Sequence, residues 1–255
     1  MSNPFAARRA AFRALHAEGC FALPNPWDAG SARRLEKLGF KALASTSAGA
    51  AWSLGKNDGQ ITRDEVIAHL RMLCAATDLP VNADFENGFS DTAGGVADSV
   101  ALAIEAGVAG LSIEDWSGSA LYDLPIAVER LKAARRAIDA SGQDVILVGR
   151  AEGYLRGVRD LNQILERLKA YAEAGADCLY APAVTDPDEI RAIVQAVSPK
   201  PVNVLLWGPE MTVASLAALG VRRVSTGGSL AAAAWVGFDA AAKRLAEEGR
   251  LQPRP

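Results

Sequence analysis

The sequence is poor in the residues that carry several common chemistries. Its 255 residues include three cysteines (Cys20, Cys74, Cys178) and two histidines (His16, His69). The cysteines are far apart, odd in number and form no CxxC or Cys/His cluster. That argues against a zinc site or a disulfide framework, and for reduced thiols in the cytoplasm. Both histidines fall inside helical patterns, away from strand ends, as packing or surface residues would. Ser–His and Cys–His nucleophilic catalysis therefore have little support. Basic excess is also missing: 27 Lys and Arg stand against 30 Asp and Glu, a net charge of -3. No basic run marks a nucleic-acid partner. No apolar stretch approaches the roughly 18 residues of a membrane span. The first fifteen residues, with Arg8, Arg9 and Arg13, lack a continuous signal-peptide core.

What is present is a layered pattern. Half the residues are hydrophobic, with 23 Gly and 12 Pro, enough for a full core without disulfides or structural metal. Short apolar runs bounded by Gly, Pro or Asp predict strands over residues 20–24, 41–46, 80–86, 109–115, 144–150, 177–183, 201–207 and 222–227. Amphipathic stretches between them predict helices over 29–38, 62–76, 96–105, 126–140, 161–174, 187–196, 212–218 and 230–247. Thr62, followed by Asp64 and Glu65, reads as an N-cap. Gly39, Gly107 and Gly175 follow helices just before strands, where a left-handed cap returns the chain. Eight strands alternating with eight helices predict a parallel (β/α)8 barrel, with an open doubly wound sheet as the competing arrangement. No composition shift divides the chain, so residues 1–255 read as one barrel domain. The segment at about 1–19 reads as a short helix capping the barrel bottom.

In such a barrel the site lies at the carboxyl ends of the strands. Strand three carries Asn82, Asp84 and Glu86 at period two, facing away from Val81, Ala83 and Phe85. If the apolar set meets the helices, the polar set enters the barrel. Together with Asp58 and Glu114 it forms a hard-oxygen cluster suited to Mg2+ or Mn2+. Asp28 and Asp115 fit N-cap or loop roles as well as chemical ones. Arg150 ends strand five, placed to clamp a carboxylate or phosphonate. Ser45, Thr46, Ser47 and Gly49 end strand two as an anion nest. Asn203 lies on strand seven. Trp27, Trp52, Trp116 and Trp207 follow strand ends on the same face, as a pocket wall or as oligomer packing, and Trp27 is the one expected against substrate.

Taken in order, these segments resemble the isocitrate lyase/phosphoenolpyruvate mutase superfamily. They are Asn25-x-Trp27-Asp28-Ala29-Gly30-Ser31-Ala32-Arg33, Thr46-Ser47-Ala48-Gly49, Gly55-x-x-Asp58-Gly59, Ala83-Asp84-x-Glu86-x-Gly88-Phe89, Ala106-Gly107-x-x-Gly110-x-x-x-Glu114-Asp115 and Arg150-x-Glu152. The resemblance spans about residues 20–230. It implies a Mg2+-dependent barrel acting on α-keto, α-hydroxy or phosphono acids by making or breaking a C–C or P–C bond. Such proteins are often tetramers that exchange a helix, so a homodimer or homotetramer is implied. By the resemblance Asp58, Asp84 and Glu114 match metal-site carboxylates, some acting through waters. Ser45, Thr46 and Ser47 match the segment holding a substrate carboxylate or enolate oxygen. Arg150 matches the substrate-binding arginine and Asn203 a polar pocket residue.

The chain departs from that pattern twice. Strand three usually reads Asp-Ala-Asp with its first Asp on the metal, whereas Asn82 stands there here and Glu86 is the candidate replacement for the lost charge. The lyases of the group also carry a Lys- and Cys-containing gating loop after strand four. Here residues 116–123 read Trp-Ser-Gly-Ser-Ala-Leu-Tyr-Asp, with Tyr122 as the one proton-transfer candidate. Isocitrate or methylisocitrate cleavage is accordingly disfavoured. The expected function is Mg2+-dependent lyase or decarboxylase chemistry on a small 2-oxo or 2-hydroxy diacid, with Arg150, Glu114 and Tyr122 at the reaction. A phosphonopyruvate-type mutase or hydrolase and a degenerate keto-acid-binding protein are the alternatives.

Overall fold

Every expected strand is present, each shorter than its apolar run, in a computed structural model that describes residues 4–251. In chain order the elements are α1 (Ala6–Leu15), β1 (Phe21–Leu23), α2 (Ala29–Lys37), β2 (Leu43–Ala44), α3 (Ser47–Ser53), α4 (Arg63–Ala76), β3 (Val81–Ala83), α5 (Ala93–Ala106) and β4 (Gly110–Glu114). There follow α6 (Leu124–Ser141), β5 (Ile146–Arg150), α7 (Leu161–Glu173), β6 (Cys178–Tyr180), α8 (Pro187–Val197), β7 (Val202–Leu205), α9 (Val213–Ala218), β8 (Arg223–Ser225) and α10 (Ser229–Glu248). The strands pair in parallel in the order β1-β8-β7-β6-β5-β4-β3-β2. The remaining seam, between β1 and β2, is drawn together by the Ala44 amide donating to the Pro24 carbonyl at 3.0 Å and by Asn25 Nδ2 donating to the Ser45 carbonyl at 2.7 Å. The fold is the expected (β/α)8 barrel.

Local chemistry explains the boundaries. Thr62 and Glu65 form a reciprocal capping box at α4, and Asp28 with Ser31 does the same at α2. Gly39, Gly107 and Gly175 all take left-handed backbone, as a return from helix to strand requires. One helix was not anticipated. Residues 47–53 form α3, capped by Thr46 Oγ1, which accepts from the Gly49 amide at 3.2 Å. Its seven residues, rich in Ala, Ser and Gly, carry too little apolar periodicity to announce a helix.

Two apolar layers result. The larger lies between strands and helices; Val81, Ala83 and Phe85 join it, each at most 1% exposed. The smaller fills the lower barrel, where Phe12 of α1 packs with Leu23, Ala44, Ile146, Val148 and Leu205. The N-terminal helix therefore plugs the barrel floor as expected. Arg9 fixes it there, donating to the carbonyls of Val108 at 2.9 Å and Ile104 at 2.8 Å. Among the described residues no helix is long and apolar enough to cross a membrane.

Candidate active site

Arg150, the last residue of β5, is the hub of the barrel mouth. Its Nη1 donates to Asp84 Oδ1 at 2.9 Å, its Nε to Glu152 Oε1 at 2.6 Å, and its Nη2 lies 3.4 Å from Glu114 Oε2. The guanidinium is almost buried and lies over the Tyr180 ring, 5.3 Å from its centroid. Asp84 is held from its other side by the Ser47 amide at 2.9 Å and the Ser47 hydroxyl at 3.0 Å. That hydroxyl also lies 3.3 Å from Asp58 Oδ1, so its one proton can serve only one of the two carboxylates at a time. Ser45 Oγ accepts from the Asp84 amide at 2.8 Å. Strand ends β2, β3, β4 and β5 thus converge on one charged cluster.

Acid outnumbers base in this cluster, and the ionisation shows it. Glu86 is pushed up to about 8, first by burial and then by the charges of Asp84 and Asp58. Glu114 is driven well above its ordinary value by burial, against the pull of Arg150. Asp58 is raised by burial and then by Asp84. Glu86 Oε1 is buried without a hydrogen-bond partner. A cation is what such a set lacks. Among the described residues no three acidic, imidazole or thiol groups are placed to enclose an ion directly. The donors instead suit a hydrated hard cation touching one or two carboxylates, the habit of Mg2+. On that chemistry Asp58, Asp84, Glu86 and Glu114 fit the group that would be bound there.

The cluster borders two adjoining cavities. One, of about 370 Å3, runs into the barrel past Ser45, Thr46, Ser47, Asp58, Asp84, Arg150 and Asn203. The other, of about 510 Å3, opens above Glu86, Glu114 and Arg156, and shares Ser47, Asp58 and Arg150 with the first. Nine of the eleven expected site residues therefore meet. Two do not. Trp27 lies off both cavity walls, its carbonyl accepting from His69 Nε2 at 2.9 Å; Trp52 and Trp207 line the deep cavity instead. Tyr122 is also outside both walls. Its hydroxyl donates to Asp91 at 3.1 Å and accepts from Asn87 at 3.3 Å, and Arg130 stacks on its ring. The loop bends so that Tyr122 joins the segment between β3 and α5, and α6, rather than the cavity. Asp115 is no cap either. It is buried against Tyr171, Arg167 and the Glu152 amide, at 2.6, 3.0 and 2.8 Å, and so steadies the segment carrying Glu152.

Three charged residues in or against the cavity walls carry no role in the sequence pattern. Glu152 was visible only as part of Arg150-x-Glu152; it is fully buried between Arg150 and Arg156. Arg156, stacked 4.7 Å from the Trp116 centroid, carries the i, i+4 spacing to Glu152 as its one signal. Arg223 opens β8 at a barrel-facing position, where an apolar residue is the default.

A closed (β/α)8 barrel with a charged, hydroxyl-lined cavity at the carboxyl ends of its strands defines the class of protein. Within it, the chain matches the phosphoenolpyruvate phosphomutase family over residues 12–246. It is 33% identical over 200 residues to the 2-methylisocitrate lyase of Escherichia coli, covering 73% of this chain and 66% of that one. To an oxaloacetate decarboxylase of Bradyrhizobium it is 30% identical over 228 residues, covering 86% and 77%. A solved chain from Burkholderia cenocepacia J2315 superimposes with a TM-score of 0.94 at 49% identity, covering 98% of this chain and 92% of that one. The protein belongs to the isocitrate lyase/phosphoenolpyruvate mutase superfamily, whose members include lyases and mutases of small acids.

Proposed function

We propose that the protein is a Mg2+-dependent carbon–carbon lyase, of decarboxylase type, acting on a small 2-oxo or 2-hydroxy diacid. The observation that carries this reading is the Arg150–Asp84–Ser47 constellation beside Glu86, whose Oε1 is buried without a partner. It combines a fixed guanidinium for a substrate carboxylate, hydroxyl and amide donors at the end of β2, and a carboxylate set short of one cation. Mg2+ bound there would supply positive charge to an oxygen on which charge develops during C–C cleavage. Arg150 orients the acid, Ser45 and Ser47 hold the acidic cluster in register, and Glu114 with Glu152 keeps the guanidinium aimed. Decarboxylation needs no group to deprotonate a substrate hydroxyl, so it accords with a loop that has no Cys, Lys or His and with a Tyr122 turned away.

The enzyme is proposed to work in the cytoplasm as a homodimer or homotetramer. Support for assembly comes from α10, in which every residue from Ala233 to Glu248 except Arg244 is exposed. Oxalate, which mimics a pyruvate enolate, tests the site: calorimetric titration is expected to show binding with Mg2+ and none with EDTA. Binding that ignores Mg2+, or none at all, overturns the reading. Metal-dependent turnover of a keto-acid panel rules out a mere binding protein, and turnover confined to phosphonates moves the reaction to P–C chemistry.

A further inference from the structure

The deep cavity has an end that the acidic cluster does not explain. Its floor is formed by Arg223, the first residue of β8, whose side chain is 2% exposed and turned into the barrel. A guanidinium stays charged and offers five N–H donors. Its Nε donates to Asn203 Oδ1 at 2.9 Å. Its Nη1 lies 3.3 Å from Asn82 Oδ1 and 3.4 Å from His16 Nε2. The ring of His16 is neutral there, because its Nδ1 donates to the Phe12 carbonyl at 2.8 Å and leaves a lone pair on Nε2. Every partner is therefore uncharged. Among the described residues no carboxylate forms an ion pair with Arg223, whose hydrogen bonds run from Nε and Nη1.

A buried charge without a counter-charge is costly, and proteins rarely keep one without a use. The contrast with the mouth gives that use. At the mouth, Asp58, Asp84, Glu86, Glu114 and Glu152 exceed Arg150 and Arg156, while the floor is positive and has no acid. The strand-three position nearest the floor is Asn82, where an Asp would have neutralised Arg223 directly. Asn203 and Ser225 line the same wall, linked by a hydrogen bond from Asn203 Nδ2 to Ser225 Oγ at 3.0 Å.

We propose that Arg223, with Asn203 and Ser225, is an anion subsite at the cavity floor that takes the second acidic group of a small diacid whose first group is held at Arg150. The assignment rests on the reading of the mouth as a keto-acid site and adds what that reading leaves unassigned, the residues that hold the second acidic group. A dianion is then bracketed between two guanidinium groups. A monoacid of equal length leaves Arg223 unmatched.

The test compares binding of 2-oxo monoacids with their ω-carboxylated counterparts of the same four- or five-carbon length, by calorimetry with Mg2+ present. The wild-type protein is expected to prefer the better-fitting diacid at least tenfold. Arg223→Gln is expected to bring that ratio to about one while monoacid affinity stays within threefold; Arg223→Lys retains part of the preference. Asn82→Asp, which gives Arg223 an internal counter-charge, is expected to lower the ratio as well, and the ratio cancels any change in metal affinity common to both ligands. Melting curves establish that each variant is folded. A diacid preference that survives both Arg223→Gln and Asn82→Asp, or a wild-type protein that binds both ligands equally, overturns the subsite and reduces Arg223 to a pin for α1. Failure of oxalate and of every keto acid to bind would instead sink the reading of the mouth, so the two failures are distinct.

Discussion

His16 shows how a single side chain can link stability to pH from beneath the barrel. Both its ring nitrogens are committed, one to the Phe12 carbonyl and one to Arg223. Burial first, and the Arg223 charge second, push its pKa down to about 3. An unfolded chain would protonate it near the ordinary value of about 6.5. Between these values the unfolded state binds the extra proton, so this contribution to stability is complete above about pH 6.5 and is lost progressively as the pH falls towards 3. At about 1.4 kcal/mol per pKa unit, the loss is on the order of 5 kcal/mol near pH 3. His16→Gln, which keeps an acceptor and cannot titrate, is expected to be less stable than wild type at pH 7.5 and to close that gap by pH 4. Urea unfolding at both pH values measures it, and parallel stability profiles for the two proteins would refute the assignment. The helical setting of the histidine allowed packing and surface roles alike, and the structure gives the packing one. Its charged partner was not legible, because nothing in a strand's periodicity announces a buried arginine.

Helix α3 places Ser47, and its position depends on Gly49. A Cβ on Gly49 would lie 2.7 Å from Thr46 Cγ2 and 2.9 Å from Trp27 Cβ, with Ala231 Cβ at 3.2 Å. Thr46 is the helix cap and Trp27 belongs to the loop between β1 and α2, so neither can yield without moving its element. Gly49→Ala is expected to cost about 1–3 kcal/mol through overpacking and to weaken oxalate binding roughly tenfold by displacing Ser47 from Asp84. A variant with lowered melting temperature and unchanged oxalate affinity would separate α3 from the site. Elements with a clear period were readable in advance: β3 shows the expected alternation through Phe85, with Asn82 turned into the barrel. The alternation ends at Glu86, where the backbone is left-handed at φ 45°, so Glu86 reaches the acidic cluster from a turn rather than along a strand face. The same limit applies to Tyr122 and Trp27. Both were placed near the mouth by position in the chain, but loop conformation decided where their rings went.

At the scale of the molecule, exposed large apolar side chains are most concentrated along α10. That helix begins at the cavity, whose wall includes Gly228, Ser229 and Ala232, and then leaves the body of the protein. Of its residues only Ala231 is buried. Trp235, Phe238 and Leu245 are 38%, 61% and 50% exposed and recur at helical spacing, with the Trp235 and Phe238 rings edge to face at 5.7 Å. Single exposed apolar residues are unremarkable, but a stripe of this kind on a projecting helix calls for a covering surface. A helix of this length gains most of its stability from tertiary packing, which α10 lacks over its outer turns. A second copy of the chain meets both needs, since each copy brings the same stripe to a symmetric contact. Sedimentation of the wild-type protein is therefore expected to show a dimer or tetramer, and Trp235→Ser/Phe238→Ser a monomer. Because α10 starts in the cavity wall, loss of the contact is expected to loosen that wall and reduce oxalate affinity several-fold, although both substituted residues lie outside the cavity. If the wild-type protein is monomeric with α10 intact by hydrogen exchange, the helix needs no partner. If the double variant is monomeric yet binds oxalate as tightly as wild type, assembly and the site are independent.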